Sequence, residues 1–341
     1  MNKFAKYILG GLGLFLCCGF IAVKHKDLLF SYPEYWPKPQ YDFSKLTMSE
    51  DQFQLGRQLF YDPILSRDNT ISCASCHLQA TGFTHVDHDL SHGIEGRIGT
   101  RNSMTIMNLA WNTSFMWDGG VNHIEIQALA PISSENEMDE SLEHVVEKLN
   151  NSEKYKTLFY NVHKDSVVTG QRTLLALTQF VVMLTTYNSK YDKYIREEVE
   201  FTEQEKSGLN VFRTHCASCH TEPLFTNNKF INNGLEVDTT LNDFGRMIIT
   251  QNPQDSLKFK VPTLRNIQFT KPYMHDGRFE TLQEVINHYT SDIQDSNTLS
   301  ETLKSNIELT HKEKVDLLVF LRTLTDQEFL FNKRFAFPYN Q

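Results

Sequence analysis

The sequence predicts a mostly α-helical fold of two tandem domains with little β structure. Apolar residues recur at helical spacing along the chain, as Leu55 and Leu59 do, whereas long alternating patterns typical of strands are absent from the sequence. The 341 residues are enough for two domains. Several short motifs also occur twice in the same order, which indicates two homologous halves.

Start signals and apolar stripes locate the predicted helices. Thr47-Met48-Ser49-Glu50 carries capping residues and opens a helix that extends to Phe60. Thr202 caps a later helix that contains Leu209 and Phe212. Further amphipathic helices are predicted over 140–150, 174–187 and 312–324.

The internal repeat has three elements. They are Gly56-x-x-x-Phe60 and Gly208-x-x-x-Phe212, Arg101-Asn102 and Arg265-Asn266, and Met116-Trp117-Asp118-Gly119 and Met274-His275-Asp276-Gly277. We therefore predict an N-terminal domain over 48–195 and a C-terminal domain over 196–341, with the hinge near 189–201.

Residues 1–30 are predicted to be a signal peptide or membrane anchor. Lys3 and Lys6 precede an apolar run over 7–23, which is typical of export. A cleaved signal, an uncleaved anchor and a lipoprotein acylated at Cys17 or Cys18 all stay open, and a buried core helix is the alternative. Residues 31–47 contain several prolines and are predicted to be an extended linker.

Charge excludes one class of function. The net charge is −9, and Lys and Arg are scattered along the chain instead of forming a basic stripe. Nucleic-acid binding requires such a stripe, so we expect no nucleic-acid partner.

Four of the six cysteines form two copies of one motif, Cys73-Ala-Ser-Cys76-His77 and Cys216-Ala-Ser-Cys219-His220. In Cys-x-x-Cys-His, both thiols attach a haem and the histidine lies under the iron. Zinc or disulfide chemistry is the rival interpretation, but the adjacent histidine and the export signal favour haem. We therefore predict two cytochrome c-like haem domains, with His77 and His220 as proximal iron ligands.

Other short elements follow the haem motifs in a fixed order. They are Arg101-Asn102-Ser103, Phe115-Met116-Trp117-Asp118-Gly119, Gln127, Pro131-Ile132, Glu137-Met138, Gly245-Arg246, residues 259–266 and residues 272–277. Through these elements, residues 50–330 resemble the bacterial diheme cytochrome c peroxidase family, which also contains MauG-type enzymes.

The resemblance implies that H2O2 is reduced to water at the N-terminal haem. Electrons would come from a small cytochrome c or cupredoxin through the C-terminal haem. Glu137 would be the acid/base, Gln127 would position it, and Trp117 would lie between the haems. The alternatives are a solvated acidic turn for Glu137 and a core aromatic for Trp117. The chain departs from the family at Gly120, where an arginine is usual.

The sixth iron ligands are also implied by the resemblance. His92 matches a family histidine at the N-terminal haem, while His85 and His88 are expected at the surface. Tyr289 stands where peroxidases carry methionine and MauG-type enzymes carry tyrosine, and its anionic oxygen would stabilise ferric iron. Met274 and His288 remain alternatives.

A calcium ion between the domains is implied as well. Asn102 would supply a side-chain oxygen, and Thr270 and Pro272 would supply carbonyl oxygens, which suits Ca²⁺. Arg246 is expected to pair with a haem propionate or to lie at the surface.

These expectations describe a periplasmic diheme cytochrome c peroxidase. The alternatives are a MauG-type enzyme that uses H2O2 to oxidise residues of a partner protein, and a non-catalytic diheme electron carrier. Attachment to the membrane through the N-terminus or a lipid stays open, as does a homodimer.

Overall fold

The computed structural model describes residues 30–46, 48–305 and 307–339. It is mostly helical, which confirms the predicted fold class. One two-stranded antiparallel sheet pairs β1 (Phe230–Ile231) with β2 (Phe259–Lys260). Among the described residues, no helix has the length and apolarity needed to cross a membrane. Except for Phe30, the predicted export segment lies outside the described residues. The helices are α1 (Glu50–Tyr61), α2 (Cys73–Cys76), α3 (Leu129–Ser133), α4 (Leu142–Asn150), α5 (Glu153–His163), α6 (Gly170–Val182), α7 (Lys190–Ile195), α8 (Glu203–His215), α9 (Met247–Thr250), α10 (Leu282–Ser291), α11 (His311–Arg322) and α12 (Gln327–Leu330).

Side-chain caps determine where the predicted helices begin. The Ser49 hydroxyl accepts from the Gln52 amide at the start of α1, and Thr202 forms a capping box at the start of α8. The helix predicted over 174–187 begins earlier, after its cap Thr169, and ends at Val182. It ends there because the chain turns away, and the Thr186 amide then donates to the Asn108 side chain at 3.0 Å.

Two helix crossings of the same kind organise the two halves. α1 packs on α6, and α8 packs on α11. A Cβ on Gly56 would lie 1.9 Å from the Ala176 carbonyl oxygen, and one on Gly208 would lie 2.0 Å from that of Asp316. Both crossings therefore require glycine, which explains why this element of the repeat recurs.

The structure corrects the register of the repeat. Asn108 and Asn266 both adopt left-handed backbone, with φ of 57° and 56°, and each precedes a short 3-10 turn. The same number of residues then leads from Asn108 to Met116 and from Asn266 to Met274, which also share positive φ. Asn266 thus corresponds to Asn108, and its pairing with Asn102 was wrong because it relied on a two-residue identity without regard to spacing.

The buried apolar residues form two clusters. The first includes residues between 30 and 184 and takes in Phe329, Leu330 and Phe335 from the C-terminal end. The second includes residues between 191 and 324. The segment predicted to be a linker packs on the first cluster, with Trp36 only 4% exposed. The domain boundaries stay a prediction.

A buried ion pair links α7 to the loop after β2. Arg265 and Asp192 are fully buried and form two hydrogen bonds of 2.8 Å. The Arg265 guanidinium also lies 4.5 Å from the centre of the Trp36 ring. The N-terminal segment therefore contacts Arg265, which in turn lies over Phe225 of the second cluster.

Candidate active site

The second cysteine motif opens into a large apolar cavity. Cys216, Cys219 and His220 follow directly after α8 and line a space of about 1400 Å³, its mouth included. Most of the remaining wall is apolar, contributed by Phe212, Leu282, Val285, Ile286, Leu317 and Leu321 among others. Its size and lining suit a large flat cofactor.

The histidines of both motifs are held in the tautomer that metal binding requires. His77 Nδ1 lies 2.9 Å from the Phe83 carbonyl oxygen, and His220 Nδ1 lies 3.2 Å from that of Phe225 and 3.1 Å from that of Pro262. A carbonyl can only accept, so Nδ1 carries the proton and Nε2 is free to bind iron. Burial lowers the pKa of both rings, that of His220 to about 4. Both sites therefore fit a covalently attached haem c.

The Glu137 backbone meets the loop that contacts the first cysteine motif. The Cys76 thiol donates to the His92 carbonyl oxygen at 3.5 Å, and the Ile94 amide donates to that of Glu137 at 2.8 Å. A Cβ on Gly93 would lie 2.4 Å from the Glu137 carbonyl oxygen, so glycine lets the two loops meet. Burial first, and then the Glu137 charge, raise the pKa of the Cys76 thiol to about 11.

Glu137 is placed to hold and release a proton. Burial raises the pKa of its carboxyl above the ordinary value, and the Ser91 side chain opposes that shift. Ser91 was not predicted from the sequence to take part in the site. The only signal for it in the sequence is its place directly before His92.

Gln127 lies away from its expected partner. Its side-chain amide donates to Met116 Sδ at 3.7 Å, and within the described residues no hydrogen bond joins it to Glu137. Its positioning role stays a prediction.

Trp117 lies at the junction of the two halves. It is 9% exposed, and its indole N–H donates to the Asn102 carbonyl oxygen at 3.0 Å. Its own carbonyl accepts from the Lys260 amide at 2.7 Å. Trp117 lines both the haem-sized cavity and a second cavity between the halves.

Two of the candidate sixth ligands of the C-terminal haem share one cavity. Tyr289 and Met274 both line the space beside His220, and the Asn233 amide lies 3.4 Å from the phenol oxygen and 3.5 Å from Met274 Sδ. Burial raises the pKa of Tyr289 to about 12. His288 instead places Nε2 3.0 Å from the Asn233 carbonyl oxygen and lies outside the described lining.

His92 belongs to a stack of three imidazole rings. Its ring centre lies 3.9 Å from that of His88, with the planes 4° apart, and His88 lies 5.0 Å from His85. Its backbone is next to Cys76, so the segment borders the N-terminal site. Ligation by His92 stays a prediction.

The three candidate calcium ligands line the cavity between the halves, which has a volume of about 760 Å³. The Asn102 amide group donates to the Asp89 carbonyl oxygen at 2.9 Å, which leaves its Oδ1 available. Within the described residues, Oδ1 of Asn102 and the carbonyl oxygens of Thr270 and Pro272 accept no hydrogen bond. Uncommitted oxygens fit a Ca²⁺ ion.

Arg246 lies outside the described linings of both cavities. Its guanidinium donates to the Asp118 carbonyl oxygen at 3.0 Å and lies 3.9 Å from the centre of the Phe230 ring. Its pairing with a propionate stays a prediction. The cation that does line both cavities is Lys260, to which the sequence analysis gave no role although it interrupts an apolar run.

Comparison with known proteins gives consistent results. A family profile described as "Di-haem cytochrome c peroxidase" matches residues 50–200. The methylamine utilization protein MauG of Methylorubrum extorquens is 32% identical over 86% of this chain and 83% of its own. The cytochrome c551 peroxidase of Nitrosomonas europaea is 32% identical over 82% of this chain and 81% of its own. The crystal structure of a MauG-like protein associated with microbial copper homeostasis has a TM-score of 0.83 at 31% identity, covering 90% of this chain and 98% of its own.

Proposed function

Because the chain belongs to the diheme cytochrome c peroxidase family, which includes the MauG proteins, we propose that it reduces H2O2 to water at its N-terminal haem. Membership of the family makes it a peroxidase-type oxidoreductase that uses two haem c groups. We assign their attachment to Cys73, Cys76, Cys216 and Cys219. Once bound, haem supplies an iron that reduces peroxide or passes electrons.

The half-buried Glu137 carboxyl carries this proposal. The Glu137 backbone meets the loop that contacts Cys76, and partial burial raises the pKa of the carboxyl. Reduction of peroxide needs a base that takes a proton from one oxygen and returns it to the other. Glu137 performs both transfers.

Electrons reach this site from the other half through the region of Trp117. This residue is buried, lines both cavities and is hydrogen-bonded on both sides, to Asn102 and to Lys260. A donor such as a small cytochrome c or a cupredoxin delivers electrons to the C-terminal haem. We place the enzyme in the periplasm. A cleaved signal, attachment to the membrane through the N-terminal segment or a lipid, and a homodimer stay open, as in the sequence analysis.

One observation favours a second candidate function. Tyr289 places its phenol in the cavity of the second motif, where the Asn233 amide also reaches it. Tyrosine ligation would stabilise ferric iron and lower the potential of that haem, which makes it a poorer acceptor from cytochrome c. A MauG-type enzyme would then use H2O2 to oxidise residues of a partner protein.

Two measurements test the proposal. Mass spectrometry of the denatured holoprotein should find two haem additions, and fewer in a host able to mature cytochromes c would refute the haem assignment. Steady-state consumption of H2O2 with reduced cytochrome c or cupredoxin should then be rapid. A two-haem protein that consumes no H2O2 with either donor, but whose ferric haems are oxidised further when peroxide alone is added, would support the MauG-type candidate. A carrier would show neither reaction.

A further inference from the structure

Lys260 is a buried cation without a partner. It is 4% exposed, and within the described residues its ammonium makes no hydrogen bond or ion pair. Its backbone is fixed, since its amide donates to the Trp117 carbonyl oxygen and its strand pairs with β1. A buried charge without a partner is costly, and burial accordingly lowers the pKa of Lys260 to about 8.

The two cavities that Lys260 lines contain no acidic side chain to pair with it. Among the described residues that line either cavity, there is no Asp or Glu, and Lys260 is the one Lys or Arg. The walls therefore bear a single cation and no anion. A cofactor that brings carboxylates of its own would satisfy the ammonium, and each haem carries two propionates.

We propose that Lys260, which shares a cavity with Cys216 and Cys219, would pair with a propionate of the haem attached at these two cysteines and thereby raise its reduction potential. The inference rests on the haem attachment given under the proposed function and does not depend on peroxide turnover. Pairing with a propionate was expected of Arg246. The Arg246 guanidinium instead donates to the Asp118 carbonyl oxygen and lies over the Phe230 ring, so we assign this role to Lys260.

The sign of the effect follows from charge. Reduction lowers the charge of the haem iron by one, so a nearby cation favours the reduced form and offsets the propionate. Without the Lys260 ammonium, the negative charge of the propionate is no longer offset and stabilises the oxidised haem relative to the reduced haem. Replacement by a neutral residue must therefore lower the potential.

The experiment is a spectroelectrochemical titration of three holoprotein variants. Lys260→Met should lower the equilibrium constant for reduction of one haem about tenfold, or roughly 59 mV for one electron, and leave the other haem closer to the parent. Lys260→Arg should restore the parent value. Lys258→Met removes the same charge from a lysine paired with Asp255 at 3.3 Å, and should match the parent. Parent-like potentials in Lys260→Met would overturn the inference.

A second measurement decides the matter if Lys260→Met does not take up haem. In Lys260→Arg the donor changes while the charge stays, so the propionate bands in the reduced-minus-oxidised infrared spectrum should shift. Unshifted bands would overturn the inference. Haem counting separates this failure from that of the proposed function, because a parent with no haem at the second motif would contradict the haem assignment itself.

Discussion

Replacement of Glu137 by glutamine is the most direct test of the proton-transfer site. Glutamine keeps the shape of the side chain but cannot take up a proton. Because the loop contact at Glu137 is made by its backbone, the isosteric change should leave haem content and fold intact. General acid–base groups contribute about 10²–10⁴-fold, or about 2.7–5.4 kcal/mol at 1.36 kcal/mol per tenfold. We expect peroxide turnover to fall by that factor.

The assay is steady-state turnover of H2O2 with an excess of reduced donor. Glu135→Gln is the matched control, since Glu135 is exposed and only its backbone carbonyl is engaged, by Arg97 at 2.7 Å. The control should equal the parent. Turnover of Glu137→Gln within about twofold of the parent, with both haems present, would show that another group transfers the proton.

The pH profile tests the same carboxyl independently. The reaction begins with Glu137 as a base, so turnover must fall as the pH drops through its pKa. Burial raises that pKa, and the acid limb of the profile should lie above the ordinary value for glutamate. An acid limb at or below the ordinary value would contradict this placement of the carboxyl.

Three other predictions concern the C-terminal haem, the calcium site and stability. Tyr289→Phe should change the ferric spectrum and potential of one haem, and if both stay unchanged Tyr289 is not a ligand. Removal of calcium by a chelator, or Asn102→Ala, should reduce turnover by loosening the contact between the halves, whereas calcium-free protein with unaltered turnover and spectra would show that the site is dispensable. Asp192→Asn leaves the buried Arg265 without its carboxylate and should lower the free energy of unfolding by about 3–5 kcal/mol in a urea titration. The exposed control Glu280→Gln should cost about 0–1 kcal/mol, and equal losses in the two variants would refute the importance of burial.

Local chemistry made much of the fold predictable. Helix starts depend on side chains within a few residues of one another, so Ser49 and Thr202 located α1 and α8 from sequence alone. The repeated Gly-x-x-x-Phe element could also be recognised in the sequence, because a close helix crossing leaves room only for glycine at positions 56 and 208.

Contacts between distant segments were not predictable in the same way. The end of α6 depends on Asn108, which is remote in sequence, and apolar periodicity continues past the last helical residue. Whether Arg246 or Lys260 faces a cavity depends on how the two halves pack. In the sequence, a charged residue at the surface cannot be distinguished from one in a cavity wall. Gln127 has the expected spacing from Glu137, yet spacing cannot show that its amide lies at Met116.

The two haem motifs are identical in sequence, so any division of labour between them must come from the residues that pack around them. In both, the proximal ring donates to a phenylalanine carbonyl, that of Phe83 or Phe225. Beside the first motif the loops bring in Glu137, a carboxyl able to exchange protons. Around the second, the described lining contains no carboxyl and a single cation, Lys260. A site with a proton-transfer group suits peroxide chemistry, whereas a carboxyl-free site with a fixed positive charge suits electron transfer. The surroundings therefore favour reduction of peroxide at the N-terminal haem and electron entry at the C-terminal one.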